Sequence, residues 1–418
     1  MGAALWGKVY YADTFAGVLR QEPGGSCVFT YDPDYLAQAR PAIAITLPRR
    51  AEPYICEQGL HPFFDNLVAE GWLRNAQARA LKVDPTNRFA LLLAFGHDCA
   101  GAVSITDPAP VGQLSMDAGD AVTNAALSSR ASLSGIQPKL LAIKSGRRFR
   151  PAHGDEQSTY IAKRPSGSPR DIVENEFLTT IANAVLLPND AVVEVQIGKL
   201  DGLGDERVLL VKRFDRRPTL AGRPNRAKRH FEEFNQLLGK RSDEDKYEAS
   251  YNDMANFIYA TPGCTPVDAW RLYQRILVCF LTGNTDAHLK NFAMFHAPEG
   301  LRLTPAYDLV AAALYPDFKV LALAIGAAAN LPLADLKPKH LVSLAKAYRL
   351  DDDIVMKAIG NLDNRRRVAE KAIFEAARKI DADQLGTALV ELMERRWNGS
   401  FASIGRFLSK RQSGDATD

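Results

Sequence analysis

Asp286, Asn291 and Asp308 are the residues of this sequence whose types and spacing could do chemistry together. The first carboxylate and the carboxamide stand five residues apart, and the second carboxylate follows seventeen residues after the Asn. Phosphoryl transfer from ATP needs that set. One Asp receives the proton of the attacking hydroxyl, an Asn holds a magnesium ion, and another Asp holds the magnesium that bridges the phosphates. Mg²⁺ prefers oxygen ligands and takes only one or two from the protein, so Asn291 and Asp308 suffice, with Asp286 left as proton acceptor. The interval from Asp286 to Asn291 equals the Asp-x-x-x-x-Asn of the protein-kinase catalytic loop. By spacing alone, a helix cap followed by a surface turn fits the same residues. The flanks favour a site: residues 276–281 (Ile-Leu-Val-Cys-Phe-Leu) and 292–295 are apolar, and polar groups work best between rigid anchors.

Two upstream stretches could serve phosphates. Residues 127–143 run from a small-residue loop into an apolar strand. Backbone N–H groups of such a loop can cradle phosphates and a lysine can reach them, which makes Ser134, Gly135 and Lys139 candidates. The Gly-Lys-Ser/Thr ending of a Walker A loop is missing, and a Ser-rich hairpin turn fits the same residues. Residues 160–163, Tyr-Ile-Ala-Lys, predict a strand ending in Lys163, and residues 172–185 a helix with Glu174 and Glu176. Kinases hold the α- and β-phosphates with a strand lysine that pairs with a helix glutamate. Glu176 is expected to be that partner, with Asp171 and Glu174 toward solvent.

Three strings follow one another along the chain: Ser-Leu-Ser-Gly-Ile-Gln-Pro-Lys-Leu (132–140), Thr-Gly-Asn-Thr-Asp-Ala-His-Leu-Lys-Asn-Phe (282–292) and Leu-Thr-Pro-Ala-Tyr-Asp-Leu (303–309). Together they resemble the HipA family, bacterial serine/threonine kinases that act as toxins of toxin–antitoxin pairs. The resemblance covers most of the chain. It implies an α+β, bilobal protein-kinase-like fold with an extra β-rich N-terminal subdomain (1–108), an N-lobe (109–215), a helical C-lobe (216–411) and a tail (412–418). It implies ATP and Mg²⁺ as cofactors. Ser132 becomes the serine the kinase phosphorylates on itself, with Ser134 a second position. Phosphorylation adds nearly two negative charges and would eject the loop from the phosphate site. The segment beginning at Lys212 is implied to link the lobes and offer backbone groups to adenine, with Arg213 and Phe214 near the ring. The implied partners are a HipB-like helix-turn-helix antitoxin, operator DNA reached only through it, and a protein substrate in translation such as an aminoacyl-tRNA synthetase.

Asn284-Thr285 replaces the His-Arg that precedes the catalytic Asp of ordinary protein kinases, and Tyr-Asp-Leu replaces Asp-Phe-Gly around Asp308. HipA proteins share both differences. His288 is open to a phosphate contact or a structural hydrogen bond. A small-molecule kinase of aminoglycoside-phosphotransferase type shares the spacing but normally has His two residues before the Asp. A non-catalytic antitoxin- and DNA-binding corepressor would not need Lys163, Asp286, Asn291 and Asp308 together.

These residues need a scaffold of two or more packed lobes, which 418 residues supply. Net charge is only +3, too small to imply a nucleic-acid partner. The longest apolar run, 320–329, is about half of what a membrane span needs, and the first twelve residues lack a signal-peptide pattern. The five cysteines are scattered and without CxxC, as expected of reduced thiols in a cytoplasm. Short strands are predicted across residues 4–31 and at 42–47, a helix at 61–81, a second helix at 88–95 capped by Asn87, and a strand at 100–105. Helices are expected at 254–259, 267–281, 341–348, 354–359, 365–380 and 385–397. The basic run Arg216, Arg217, Arg223, Arg226, Lys228, Arg229 reads as a solvated loop.

Overall fold

Alternation of apolar and polar residues in the first thirty positions yields β1 (Trp6–Tyr11), β2 (Thr14–Gln21) and β3 (Cys27–Tyr31). The computed structural model describes residues 5–108, 120–129, 137–154, 156–167, 169, 171–217 and 228–412. After α1 (Pro33–Ala37) come β4 (Tyr54–Cys56), α2 (Pro62–Asp65), α3 (Gly71–Leu81), α4 (Arg88–Phe95) and β5 (Val103–Thr106). Asn87 caps α4 as expected, its side chain accepting from Ala90 N–H. The strands form an antiparallel sheet in the order β4-β3-β2-β1-β5. It buries Val9, Leu19 and Phe29 against Phe63, Phe64 and Leu92.

Two expectations fail here for the same physical reason. Residues 42–47 form a turn bridged between Ala44 and Leu47, not a strand. The Tyr31 hydroxyl donates to Leu47 O and accepts from Ile43 N–H, so a side chain satisfies the backbone that a neighbouring strand would have. The helix expected over 61–81 is two, α2 and α3. Asp65, Asn66 and Glu70 turn inward at the break and bond Arg88, Lys240 O and Ser242.

The chain continues through α5 (Ala121–Ser128), β6 (Lys139–Ser145), β7 (Arg148–Pro151), β8 (Tyr160–Lys163), α6 (Ile172–Leu186), β9 (Val195–Gly198), β10 (Val208–Lys212), β11 (Phe231–Glu233) and α7 (Phe234–Leu237). Strands β7-β6-β8-β10 lie in that order in one antiparallel sheet. Leu140, Leu141, Ala162 and Leu210 pack there with Leu73, Ala125 and Ala126.

Two compact units emerge: Met1–Ser166 with Gly198–Asp245, and Gly167–Ile197 with Lys246–Asp418. Helix α6 joins the helical second unit, and residues 216–245 join the first. A buried charge network holds part of the latter segment. Arg213 and Arg216 are 5% and 8% exposed. Arg213 Nη2 meets Asp215 Oδ2 at 2.9 Å and its Nη1 meets Asp98 Oδ2 at 3.2 Å. Arg216 Nη1 meets Asp215 Oδ2 at 2.6 Å, while its Nη2 bonds Asp98 Oδ1 and, at 2.9 Å, Cys99 O. Burial alone would raise the Asp98 carboxyl, but Arg213 and Arg216 overcome it and hold it well below the usual carboxylate range. The solvated-loop reading of the basic run is therefore corrected at Arg216, whose charge is spent internally.

The second unit holds α6 together with α8 (Tyr251–Ala260), α9 (Pro266–Thr282), β12 (Ala293–Ala297), β13 (Gly300–Leu303), α10 (Pro338–Ala347), α11 (Asp352–Lys379), α12 (Asp383–Arg396) and α13 (Ile404–Gln412). Helix α9 starts with Thr265 as cap and Pro266 in the first turn, where proline loses nothing. Its residues Ala269, Leu272, Tyr273, Ile276, Leu277 and Phe280 are fully buried, and α6, α8 and α12 pack around it. The two helices expected at 354–359 and 365–380 are one, α11: no proline interrupts residues 360–364, and Leu362 is buried there.

Candidate active site

Helix α9 ends at Gly283, which adopts φ +78° and turns the chain into Asn284-Thr285-Asp286. A Cβ at Gly283 would lie 2.4 Å from Leu392 Cδ2 and 3.3 Å from Ala313 Cβ. Both the left-handed turn and the close approach therefore demand glycine. Gly283→Ala is expected to cost about 1–3 kcal/mol of stability and to displace the loop that follows. Thermal unfolding together with an activity assay checks both effects.

Beyond the turn, Thr285 Oγ1 donates to Phe318 O at 2.8 Å and Thr285 O accepts from Ala322 N–H at 2.8 Å. His288 Nδ1 accepts from Lys290 N–H, and His288 N–H donates to Asn291 Oδ1 at 3.0 Å. The imidazole thus makes the structural hydrogen bond, one of the two roles open to it. Strands β12 and β13 form the hairpin that carries the chain back. Arg275, buried in α9, bonds Thr304 O at 2.6 Å and Asp190 Oδ1 at 2.7 Å, and Tyr307 Oη donates to Lys290 O at 2.7 Å.

Those anchors bring Asp308 to Asn291. Asn291 Nδ2 donates to Asp308 Oδ2 at 2.7 Å, and Asp308 holds φ +57°. A non-glycine residue in the left-handed region is uncommon and is tolerated best by Asp and Asn. Asp286 lies in the same cluster, where Tyr247 Oη donates to its Oδ1 at 3.1 Å. Burial pushes the Asp286 carboxyl up to about 6, helped by the charge of Asp308. The Tyr247 hydroxyl and the Lys246 ammonium pull the other way. Two converging carboxylates and an amide oxygen with one lone pair still available form an oxygen-rich set that a hard divalent cation would relieve.

The other expected site residues fall in both units. In the first unit, Lys139 and Lys163 stand opposite each other on β6 and β8 and are both buried. Directly opposed residues share a sheet face, so the two lysines stand side by side. In the second unit, Glu176 is buried in α6, Asp171 is exposed and Glu174 is half-buried rather than solvated. Its neighbour Asn175 bonds Ala311 N and O, fixing α6 to the stretch after Asp308. Arg213 has its side chain in the carboxylate network, and its N–H donates to Thr159 O at 3.0 Å. The Phe214 ring packs on Phe231 with centroids 5.0 Å apart. Ser132, Ser134 and Gly135 lie outside the described residues. Tyr247 and Lys246 were not anticipated. Tyr247 and Lys246 sit in a polar stretch without periodicity, and no sequence signal marks them.

Residues 131–383 match the family model of the HipA-like C-terminal domain, and residues 7–106 match the HipA N-terminal domain. The chain belongs to the HipA family. Among similar HipA-type proteins, a putative kinase, Y4dM, of Sinorhizobium fredii is 30% identical over 85% of this chain and 88% of its own length. A second, Y4mE of the same organism, is 29% identical over 88% and 91%. The serine/threonine-protein kinase toxin HipA of Shewanella oneidensis is 33% identical over 62% of this chain and 64% of its own. The HipA chain solved with HipB and operator DNA from Shewanella oneidensis superposes with a TM-score of 0.73 at 25% identity, covering 95% of this chain and 99% of that one. The fold is thus the α+β, kinase-like fold of HipA proteins, and the family is one of toxin-type kinases. Among the described residues no helix is long and apolar enough to cross a membrane.

Proposed function

We propose that this protein transfers the γ-phosphoryl group of ATP to a serine or threonine hydroxyl of a protein, as the toxin of a toxin–antitoxin pair. The observation that carries the reading is the convergence of Asn291 and Asp308 at 2.7 Å, in one cluster with Asp286. A hydroxyl is a poor nucleophile at neutral pH, so Asp286 accepts its proton as the new bond forms. Asn291 and Asp308 are the residues that would hold Mg²⁺, which when bound neutralises charge on the phosphoryl oxygens. Lys163 and Lys139 would hold the phosphates of ATP. Ser132, or Ser134 beside it, is the position for self-phosphorylation. By analogy with the HipA–HipB–operator complex of Shewanella oneidensis, the partner is a HipB-like helix-turn-helix antitoxin, with DNA reached through it. The target is a protein of translation in the cytoplasm.

The test is the pH dependence of phosphate transfer. Asp286 must be ionised to accept a proton, and its carboxyl lies at about 6. Accordingly kcat/KM is expected to hold above that pH and to fall with a slope of one below it. A cation beside Asp308 offsets the second cause of the upward shift, so raising Mg²⁺ should move the acid limb to lower pH. A profile flat from pH 5 to 8 would remove Asp286 from the role of base.

A further inference from the structure

We propose that Tyr247 is the positioning residue of the proton acceptor: its phenol fixes the Asp286 carboxylate, spending one oxygen on the protein and leaving the other for the acceptor hydroxyl. This rests on Asp286 being the base. Tyr247 Oη donates to Asp286 Oδ1 at 3.1 Å. Among the described residues it is the one side chain that hydrogen-bonds this carboxylate. The terminal torsion of an aspartate is broad and roughly two-fold, so without that bond no other side-chain hydrogen bond among the described residues fixes which oxygen points where.

The phenol is itself held from two sides. Its ring stands edge-on to the His288 imidazole, with centroids 5.3 Å apart at 80°. The Lys246 ammonium lies 5.4 Å from the ring centroid. The chain that follows is fastened to the catalytic loop through a shared segment. Tyr251 N–H donates to Ala324 O at 2.9 Å, and Ala322 N–H of that segment donates to Thr285 O at 2.8 Å. Tyr247 is 41% exposed, so it reaches from solvent to a largely buried carboxylate. A surface tyrosine serving only to cover the loop would not need its hydroxyl.

The experiment compares wild type, Tyr247→Phe and Asp286→Asn for initial rates of ADP formation and phosphate incorporation over a range of Mg-ATP concentrations, with thermal midpoints alongside. Phe keeps the ring against His288 and removes only the donor. A hydrogen bond to a charged group is worth about 1.5–3 kcal/mol, so kcat is expected to fall about 10- to 100-fold. KM for Mg-ATP should stay near wild type while kcat falls, a split that a structural role would not give. An unchanged or faster Tyr247→Phe beside an active wild type overturns the proposal alone. Phosphate mapped to Tyr247 also overturns it, since the phenol would then be an acceptor. An inert wild type rejects the kinase reading, and the positioning role falls with it.

Discussion

Asp286→Asn is expected to lower phosphate transfer about 10²- to 10⁴-fold, the range that a positioned general base contributes, without loss of stability. Asparagine has nearly the same shape and can still take the Tyr247 hydrogen bond through its oxygen, but it cannot accept the acceptor's proton. The stability sign follows from the carboxyl's position. Its folded value of about 6 lies above the ordinary 3.8, so the folded state favours the protonated form. Ionisation then costs folding free energy, with the full cost present above about pH 6 and relieved as pH falls toward 3.8. Removing the charge at pH 7 should therefore leave the protein as stable or more so, by up to roughly 3 kcal/mol. That trade of stability for activity is common at functional sites. A variant that loses activity and stability together would mean that Asp286 supports the loop instead of the chemistry.

Asp215→Ala is expected to damage the first unit severely although it removes none of the proposed catalytic groups. Asp215 accepts from Arg213, Arg216 and Gly101 N–H. Without it, two buried guanidinium groups would share the single carboxylate of Asp98. Breaking a buried pair by removing one partner costs about 3–5 kcal/mol, which for a unit of this size lowers the thermal midpoint by roughly 6–20 °C. Burial would raise the Asp215 carboxyl, but Arg213 and Arg216 prevail and hold it below the ordinary value, as they do for Asp98. Both carboxyls are depressed in the fold, so the network's contribution is present above their ordinary 3.8 and lost as pH falls through the depressed values. Unfolding scans at pH 7 and pH 3 should differ more for the wild type than for Asp215→Ala. A midpoint shift of under about 2 °C at pH 7 would show the network to be dispensable.

The loop that carries Asp286 and Asn291 was legible because its signal is local. The apolar run that becomes α9, the glycine that turns it and the Asp-x-x-x-x-Asn interval lie within a few residues of each other. Strand β8 was read with the same bounds, and α6 to within a residue, because each has a clean period and an obvious start. What stayed hidden depends on partners far along the chain. Periodicity alone runs residues 61–81 together, since Asp65, Asn66 and Glu70 find their partners at Arg88, Lys240 and Ser242. The stretch 42–47 reads as a strand because nothing local reveals that the Tyr31 hydroxyl will bond its backbone. Arg216 looks like a solvated cation until Asp98 and Asp215 are brought to it. Tyr247 is hidden for the same reason: 39 residues separate it from the carboxylate it holds.

The measurement that tests the central claim most directly is the intact mass of purified wild-type protein and of Asp286→Asn, each before and after incubation with Mg-ATP. A gain of phosphate in the wild type only, mapped by peptide sequencing to Ser132 or Ser134, is the predicted result. No gain in wild-type protein that carries no phosphate at the start, or an equal gain in Asp286→Asn, would contradict it.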